Sequence, residues 1–471
     1  MQLFADPESP DRDVLVTGIG IVCPGGSDRE SAWRHLRQGS CAARWLTTDE
    51  IDSLPELQKL RGVPAAGFPV SRSVLNEQIR RLQIPATIPA AVQAAWYSEP
   101  LIAMTLVALQ EAVNDADLKM PLSSDVSTGC FFGASKGGMR TAEQLTSQFA
   151  SGSAPCISEY GVAPAYPAYT EVNGPGHRPL WSDIWSSAFT ADAAARAIAS
   201  VFPARNALSS PVAACATGLI SVLQAAASIH SGQCEVCIAG SADAALRASV
   251  LASFHRLRVT SRSSDPQTAC RPFDTTRDGF LVGEGAAVLI LESRRHATAR
   301  GARSYGRVTA GGYLNDPTGM TQVDSSGSVV AELLLRTRRT LDQLAERCGS
   351  PSASASGIDY LNLHGTATEA NDSAEAHGVF HAFGPSAPRC SGMKGAIGHL
   401  LGAAGAVETA LTLLALRDQL IPGTRGLNDR DESLPLTNLV KSTEAADLRR
   451  VLKLSLGFGG HVAAGVFDAE S

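Results

Sequence analysis

Cys215 lies in the segment PVAACATGLISVLQAAASIHSG (residues 211–232), where a short apolar run meets an alanine-rich helical pattern. A cysteine at a helix N-terminus faces free backbone N–H groups and the positive end of the helix dipole, and both favour the nucleophilic thiolate. A corner between strand and helix also projects the sulfur away from the sheet, as in other nucleophile elbows. Gly218, one turn on, permits close approach of a backbone or ligand. A buried structural cysteine is the alternative, and position alone does not exclude it.

A second group of reactive side chains follows a strand in the C-terminal half. The segment YLNLHGTATEANDSAE ends that strand with His364 and continues with two hydroxyl residues, Thr366 and Thr368. The histidine alone fits a core or surface position. The spacing of Asp372 and Glu375 alone fits a helix N-cap with a capping-box glutamate.

Two more segments complete the set. MKGAIGHLLGAAGAVE (393–408) supplies Lys394 and, five residues on, His399 at the start of a buried helix. LSLGFGGHVAAGVF (454–467) is a strand, a glycine-rich turn around Phe458 and a returning strand. Taken singly, these features fit a solvated lysine, a core histidine and a hairpin.

Together, in this order and spacing, the segments resemble the β-ketoacyl-ACP synthases, the condensing enzymes of fatty-acid and polyketide synthesis, most closely the synthase I/II type. The similarity runs from VLVTGIGIVCPGG through RPFDTTRDGFLVGEGAAVLILE to GFGG. It implies an α/β, layered αβαβα thiolase-like fold of two related halves. We expect an N-terminal half over 13–295 that carries the nucleophile and a C-terminal half over 296–471 that carries both histidines.

The resemblance also implies a role for each residue. Its implied site consists of the nucleophile Cys215, the active-site histidines His364 and His399, the buried lysine Lys394, the glutamate Glu375 that accompanies this lysine, the gate Phe458, whose N–H forms the oxyanion hole with that of Cys215, and Thr366 and Thr368, which contact the phosphopantetheine arm.

The implied reaction is a decarboxylative condensation. Cys215 thiolate takes an acyl group from acyl carrier protein (ACP), and malonyl-ACP then loses CO₂ to give an enolate. Neutral His364 and His399 each donate an Nε2–H to the enolate oxygen, and the Lys394 cation disfavours imidazolium. The resemblance implies no organic cofactor or metal, because the substrates travel on the phosphopantetheine of ACP. It implies a homodimer, or a heterodimer with a ketosynthase-like subunit.

The hydrophobic pattern predicts the elements that position these residues. Apolar runs predict strands, and amphipathic or apolar helical spacing predicts helices between them. Two small-residue helices, one after Cys215 and one over 398–418, are apolar nearly all round, so we expect both to be buried close together. Residues 139–185 shift to Ser, Gly, Pro and Tyr, which predicts an elaborated surface segment or lid. The expected strands lie at 13–22, 126–135, 234–244, 280–293, near YGRVTAGGYL, at GIDYLNLHG and close to Lys394, and the other expected helices at 28–39, 99–117, 190–202, 327–346 and from near Asp372.

Composition limits the class of protein. The 471 residues are 44% hydrophobic and 18% charged, typical of a globular chain, and the net charge of −6 argues against nonspecific nucleic-acid binding. We expect no signal peptide and no membrane span, because the start is acidic and apolar helices are interrupted by Gly, Ser or Thr. Ten scattered cysteines fit a reducing, cytoplasmic location. Cys234 and Cys237 form a C-x-x-C motif that allows zinc or redox use, although two buried small residues are favoured.

Other functions stay open at this point. A condensing enzyme acting on CoA esters is one, and a chain-length factor that partners an active ketosynthase is another, although such partners characteristically lack the cysteine. The sequence departs from the family where Val462 follows His461 in place of the usual Asn, which predicts a missing local hydrogen bond. It has Ala367 where Gly or Ser is commoner. His177 fits a surface loop and receives no role.

Overall fold

The computed structural model describes residues 1–51, 54–60, 62–151, 188–348 and 357–470. Within the expected surface segment 139–185, residues Met139–Ser151 form a helix. Apolar and polar residues in this segment alternate at helical spacing, so the helix is strongly amphipathic, which favours its formation. Residues 152–185, including His177, lie outside the described residues.

The strands of the described chain alternate with helices, as the sequence predicts. In chain order they are β1 (Gln2–Leu3), β2 (Val14–Val22), β3 (Arg44–Trp45), β4 (Ala66–Gly67), β5 (Thr128–Ala134), β6 (Ala207–Ser209), β7 (Val236–Asp243), β8 (Gly285–Ser293), β9 (Gly306–Asn315), β10 (Tyr360–Asn362), β11 (Arg389–Ser391), β12 (Leu420–Ile421), β13 (Glu444–Ala445), β14 (Arg450–Gly457) and β15 (His461–Asp468).

The main sheet repeats one topology twice. Its strand order is β11-β10-β14-β15-β9-β2-β8-β7-β5-β6, with β1 paired to β9. If the five strands of each half are counted in chain order, both halves have the order 3-2-4-5-1. In both halves the strands numbered 1, 5 and 4 are antiparallel neighbours, whereas 4, 2 and 3 run parallel. The two related halves that the resemblance implies are therefore visible in the strand topology, and β2 joins them by pairing with β9.

Helices occupy three layers around these half-sheets. Pro100–Asp115 packs on the outer face of the first half, and Ser328–Arg347 packs on the outer face of the second. The helices Thr217–His230 and Ala404–Asp418 lie between the halves. The other described α-helices are Arg29–Arg37, Leu54–Gln58, Arg72–Ile79, Ala90–Ser98, Met139–Ser151, Ala193–Val201, Ala248–Arg256, Arg294–Ala299, Glu369–Phe383 and Lys394–Ile397.

Small residues bring the two central helices together. A Cβ atom added to Gly218 would lie 2.2 Å from the backbone nitrogen of Ala406, and one added to Gly405 would lie 2.6 Å from that of Leu219. Because real Cβ atoms do not approach so closely, only glycine fits at these positions. This confirms the prediction that both helices are buried and adjacent. The core follows the same layers, with one apolar cluster around the central helices and one outside each half-sheet.

Two further expectations concern the surface and the cysteines. No helix among the described residues is long and apolar enough to cross a bilayer. Cys234 and Cys237 are fully buried at the start of β7, which fits the favoured interpretation of two small core residues.

Candidate active site

Three residues that are distant in sequence meet at one cavity. The sulfur of Cys215 and one ring nitrogen each of His364 and His399 all lie within 4.8 Å of one another. The imidazole ring centroids are 5.3 Å apart, and the ring planes are nearly perpendicular. The cavity has a volume of about 580 Å³, and its lining also includes Phe458 and Thr366.

The corner that carries Cys215 is a strained turn rather than a direct strand-to-helix junction. β6 ends at Ser209, and the cysteine lies in a 3-10 turn, Ala214–Ala216, immediately before the helix Thr217–His230. Ala214 has φ of 46°, a left-handed conformation that costs a non-glycine residue about 1–3 kcal/mol. The hydroxyl of Thr217 holds the turn, because it accepts from Ala213 N–H at 2.9 Å and donates to Ala214 C=O at 2.8 Å.

The glycine-rich turn lies against the backbone of this corner. A Cβ atom on Gly457, at the end of β14, would lie 3.1 Å from the nitrogen of Cys215. The next residue, Phe458, lines the cavity, and its ring centroid is 6.4 Å from that of Phe254. Among the described residues, no acceptor takes the N–H of Cys215 or of Phe458. Two unengaged donors therefore lie on neighbouring segments at one wall of the cavity, where they can serve a developing oxyanion.

A buried ion pair lies behind His364. The ammonium of Lys394 is 3.2 Å from His364 Nδ1, donates to the His364 carbonyl, and is 2.6 Å from Glu408 Oε1. An ammonium can only donate, so Nδ1 accepts and the neutral ring carries its proton on Nε2. This is the tautomer needed to donate a hydrogen bond into the cavity.

Glu375 does not pair with Lys394, which corrects the expected partnership. Its carboxylate accepts from the backbone N–H groups of His364 at 2.5 Å and Gly365 at 2.6 Å. The capping-box alternative is also wrong, because the helix begins at Glu369, three residues before Asp372. Glu375 therefore holds the backbone after β10 in place, and the buried partner of Lys394 among the described residues is Glu408.

His399 is held by its backbone and by an aromatic ring. It follows the short helix Lys394–Ile397, donates its N–H to the Leu281 carbonyl at 3.1 Å, and accepts from Gly283 N–H at 2.9 Å. The Phe280 ring packs edge-on against the imidazole, with centroids 4.7 Å apart. Its Nδ1 is buried without a hydrogen-bond partner among the described residues. The ring is thus oriented by packing rather than by a polar contact.

Burial sets the protonation of all three groups. Burial, followed by the Lys394 charge, lowers the pKa of both His364 and His399 well below the ordinary 6.5, so both rings are neutral near pH 7. Burial raises the pKa of Cys215 from 9.0 to about 11, against the opposing charges of Lys136 and Lys394. The raised pKa favours a thiol beside two neutral imidazoles, in opposition to the thiolate that a helix N-terminus favours.

The cavity lining also carries hydroxyl groups and a cation. The hydroxyls of Thr366 and Thr368 are 2.8 Å apart and line the same wall. Exposed Arg258 lies at the same cavity, with φ of 60°. Ala367, between the threonines, also has a left-handed φ of 63°, which explains why glycine suits this position.

Family models match most of the chain. The description "Beta-ketoacyl synthase, N-terminal domain" matches residues 11–297, and "Beta-ketoacyl synthase, C-terminal domain" matches residues 318–428. The chain belongs to the β-ketoacyl synthase family. It is 30% identical over 458 residues to the 3-oxoacyl-[acyl-carrier-protein] synthase 2 of Rhizobium meliloti, covering 95% of this chain and 97% of that one. The Vibrio harveyi protein of the same name is 29% identical, covering 97% and 98%.

Solved structures with the same fold align with nearly the whole chain of this β-ketoacyl synthase. A β-ketoacyl synthase from Burkholderia phymatum has a TM-score of 0.75 at 25% identity, covering 98% of this chain and 100% of that chain. The ishigamide ketosynthase/chain length factor aligns with the same TM-score, identity and coverage. The fold is thus that of the thiolase-like condensing enzymes, as the resemblance implies.

Several side chains around this site were not expected from the sequence. Glu408 is the last residue of the segment 393–408 and lies in an otherwise uncharged stretch of its helix, and Lys453 is a lone lysine in the apolar strand β14. Isolated charges in otherwise apolar elements could have indicated both. Lys136 lies 5.5 Å from the Phe254 ring centroid, and nothing in its own segment indicates this placement. Val462, in contrast, packs in the apolar layer outside the second half-sheet.

Proposed function

We propose that this protein condenses an acyl thioester with malonyl-ACP, releasing CO₂ and forming a 3-ketoacyl-ACP. The observation that supports this most strongly is the meeting of one thiol and two neutral imidazoles in a single cavity, within 4.8 Å. The family relationship and the naming of full-length relatives as 3-oxoacyl-[acyl-carrier-protein] synthases agree with it. We propose Cys215 as nucleophile, with His364 and His399 acting on the malonyl unit.

Acyl transfer begins from the protonated thiol. Because the Nε2 atoms that face the cavity already carry protons, the thiol proton of Cys215, whose pKa is raised to about 11, passes to solvent as the sulfur attacks the acyl carbonyl. The N–H groups of Cys215 and Phe458 stabilise the tetrahedral oxyanion. When the intermediate collapses, the carrier leaves as a thiolate and takes up one proton from solvent. The step therefore ends with acyl-Cys215, neutral histidines and a free carrier thiol.

Condensation uses the histidines as hydrogen-bond donors. Malonyl-ACP loses CO₂, and the electron pair of the broken C–C bond forms an enolate whose oxygen accepts from the Nε2–H groups of His364 and His399. The enolate carbon attacks the acyl-Cys215 carbonyl, and the intermediate expels the cysteine as a thiolate. That thiolate takes up one proton from solvent, which restores the resting thiol. Lys394 supports the donor tautomer of His364 through Nδ1.

The cavity mouth fits a phosphopantetheine arm. We propose that Thr366 and Thr368 hydrogen-bond the amide groups of the arm, and that Arg258 pairs with its phosphate, since guanidinium groups bind phosphate in a bidentate manner. These three residues line the same cavity as Cys215. No organic cofactor or metal is required by the proposed steps.

We further propose that the protein acts as a homodimer joined along β6. This strand ends the main sheet, so one edge of its backbone is unpaired among the described residues. Two large apolar side chains at this edge, Leu208 and Val212, are 52% and 56% exposed. Exposed apolar residues on an unpaired edge favour pairing with another strand. A cytoplasmic location stays a prediction from the sequence.

The proposed reaction is tested by incubating the protein with malonyl-ACP and a panel of acyl-ACPs of different chain lengths. The proposal expects 3-ketoacyl-ACP and CO₂ in equal amounts with at least one acyl donor. Lack of product from the whole panel, together with lack of acylation at Cys215, would instead favour a partner subunit without its own condensation activity. Cys215→Ala serves as the matched inactive control.

A further inference from the structure

A second lysine is buried beneath the site, and the proposed mechanism does not use it. Lys453 lies within the apolar strand β14 and has no exposed surface. Its ammonium is 2.6 Å from Glu408 Oε2, donates to the Leu454 carbonyl at 2.7 Å, and reaches the Leu363 carbonyl at 3.4 Å. An ammonium has three donors, so every one has an acceptor. A fully buried and fully bonded charge is costly to place without a specific arrangement of partners.

Lys453 shares its carboxylate with Lys394. Glu408 gives Oε1 to Lys394 and Oε2 to Lys453, both at 2.6 Å, and all three side chains have no exposed surface. The two ammoniums also reach consecutive carbonyls, those of Leu363 and His364, just beyond β10. The two ammoniums therefore bind the same carboxylate and the same short backbone segment.

Because Lys453 and Lys394 share Glu408, one N–H donor of Lys394 remains available for His364. With Oε2 occupied by Lys453, Lys394 binds a single oxygen of Glu408 and keeps a donor for His364 Nδ1, at 3.2 Å. Without Lys453, Oε2 would be an unpaired buried carboxylate oxygen. Since such an oxygen is costly to leave unpaired, it would draw Lys394 toward bidentate pairing and away from the imidazole.

We propose that Lys453 is a positioning residue for His364: by occupying Oε2 of Glu408 it keeps Lys394 on Nδ1 and so maintains the Nε2–H tautomer. This inference rests on the proposed function, because the tautomer matters only if His364 donates to an enolate. Lys453 does not line the cavity and acts through two intervening groups, Glu408 and Lys394.

The charges around Lys453 make its effect dependent on pH. It faces Glu408 from the helix Ala404–Asp418, Lys394 from the helix Lys394–Ile397, Glu375 from the helix Glu369–Phe383, and His364 from the end of β10. Burial, with Lys394 adding to it and Glu408 opposing it, lowers the pKa of Lys453 to about 8. Loss of this proton weakens its hold on Oε2, so decarboxylation that depends on the arrangement falls as the pH rises through about 8.

The test compares two half-reactions in Lys453→Met, a variant of similar side-chain length without charge or donors. CO₂ release from malonyl-ACP alone reports on the histidines, and acylation of Cys215 by acyl-ACP reports on the nucleophile. We expect decarboxylation to fall by at least about tenfold and to lose its decline near pH 8, since a positioned proton donor contributes about 10²–10⁴-fold. We expect the rate of Cys215 acylation to change by less than about threefold, because that step does not use the Nε2–H tautomer of His364.

Two controls separate positioning from folding. Lys441→Met removes an exposed lysine and should leave both half-reactions unchanged. If Lys453→Met does not fold, Lys453→Gln retains an N–H donor for Glu408 without the charge, and the same measurements apply; melting curves verify that each variant is folded.

The outcomes are distinguishable. A folded variant that decarboxylates within twofold of the wild type from pH 6 to 9 would overturn the positioning role. Equal losses in both half-reactions would assign Lys453 to structure alone. A wild-type protein that carries out neither half-reaction would contradict the proposed function itself, whatever the variants do.

Discussion

The ammonium of Lys394 lies 3.2 Å from Nδ1 of His364, deep beneath the cavity that holds Cys215. This contact joins a buried ammonium to an imidazole that lines the cavity. Its positive charge adds to burial in lowering the pKa of His364, and its donor direction assigns the ring proton to Nε2. Both effects prepare the ring to donate a hydrogen bond rather than to accept one.

The neutral state of the two histidines predicts a dependence of stability on pH. Below about pH 6.5 the unfolded imidazoles bind protons and the folded ones do not, so the unfolded state binds more protons and stability falls as the pH falls. Between pH 6.5 and 5.5, two such groups contribute a loss of about 2 kcal/mol. Urea unfolding of the wild type and of the double variant His364→Gln with His399→Gln measures it. If the free energy of unfolding depended on pH equally in the two proteins, the pKa values of the folded rings would not be lowered.

Loss of the nucleophile should separate the two halves of the reaction. Cys215→Ala removes the only sulfur among the described residues that line the cavity, so it should form no 3-ketoacyl-ACP. It should still release CO₂ from malonyl-ACP, because that step depends mainly on His364 and His399. Radiolabelled malonyl-ACP measures both products in one assay. Retained condensation by this variant would refute the assignment of Cys215.

The raised pKa of the Cys215 thiol predicts slow alkylation at neutral pH. The rate of reaction with iodoacetamide should keep rising beyond pH 9, toward a midpoint at about 11. Lys136 is the first of the charges that lower this pKa, so Lys136→Met should slow alkylation about two- to tenfold at pH 8, where one pKa unit equals a factor of ten. Exposed Lys119→Met is the control. A wild-type midpoint at or below 9 would restore the thiolate that the sequence predicts.

The contact between the central helices predicts that a small substitution is destabilising. Gly218→Ala should gain about 1 kcal/mol from helix propensity. The added Cβ would, however, lie 2.2 Å from the Ala406 nitrogen and 2.4 Å from the Ser241 hydroxyl oxygen. Overpacking should dominate, with a net loss of about 1–3 kcal/mol in the free energy of unfolding. Denaturant unfolding compares it with Gln224→Ala on the same helix, and a Gly218→Ala protein as stable as the wild type would refute the close packing.

Sequence patterns predict the general arrangement of this site well. Apolar periodicity indicates the strands and the two central helices, and the order of the segments around Cys215, His364 and His399 indicates that they converge. The strand orders of the two halves, which residue identity does not reveal, appear only when the pairing of β2 with β9 and of the other neighbours is known.

The remaining features depend on three-dimensional packing. Glu375 and Glu408 both lie on buried helices near His364, and spacing cannot decide which carboxylate reaches Lys394. The same limit applies to Cys215, because a helix N-terminus favours the thiolate while the surrounding apolar groups disfavour it. Only the extent of burial decides the balance. Lys453 is visible in the sequence as an isolated charge, but its partner is not.

The central claim is that Cys215 accepts an acyl group from a carrier-bound thioester while the neighbouring histidines are intact. Intact-protein mass spectrometry after incubation with acyl-ACP, followed by peptide mapping, measures this directly. The account predicts one acyl group per chain, attached to Cys215 and absent from Cys215→Ala. An unmodified wild-type protein across a panel of acyl-ACPs, or an acyl group attached at another residue, would contradict it.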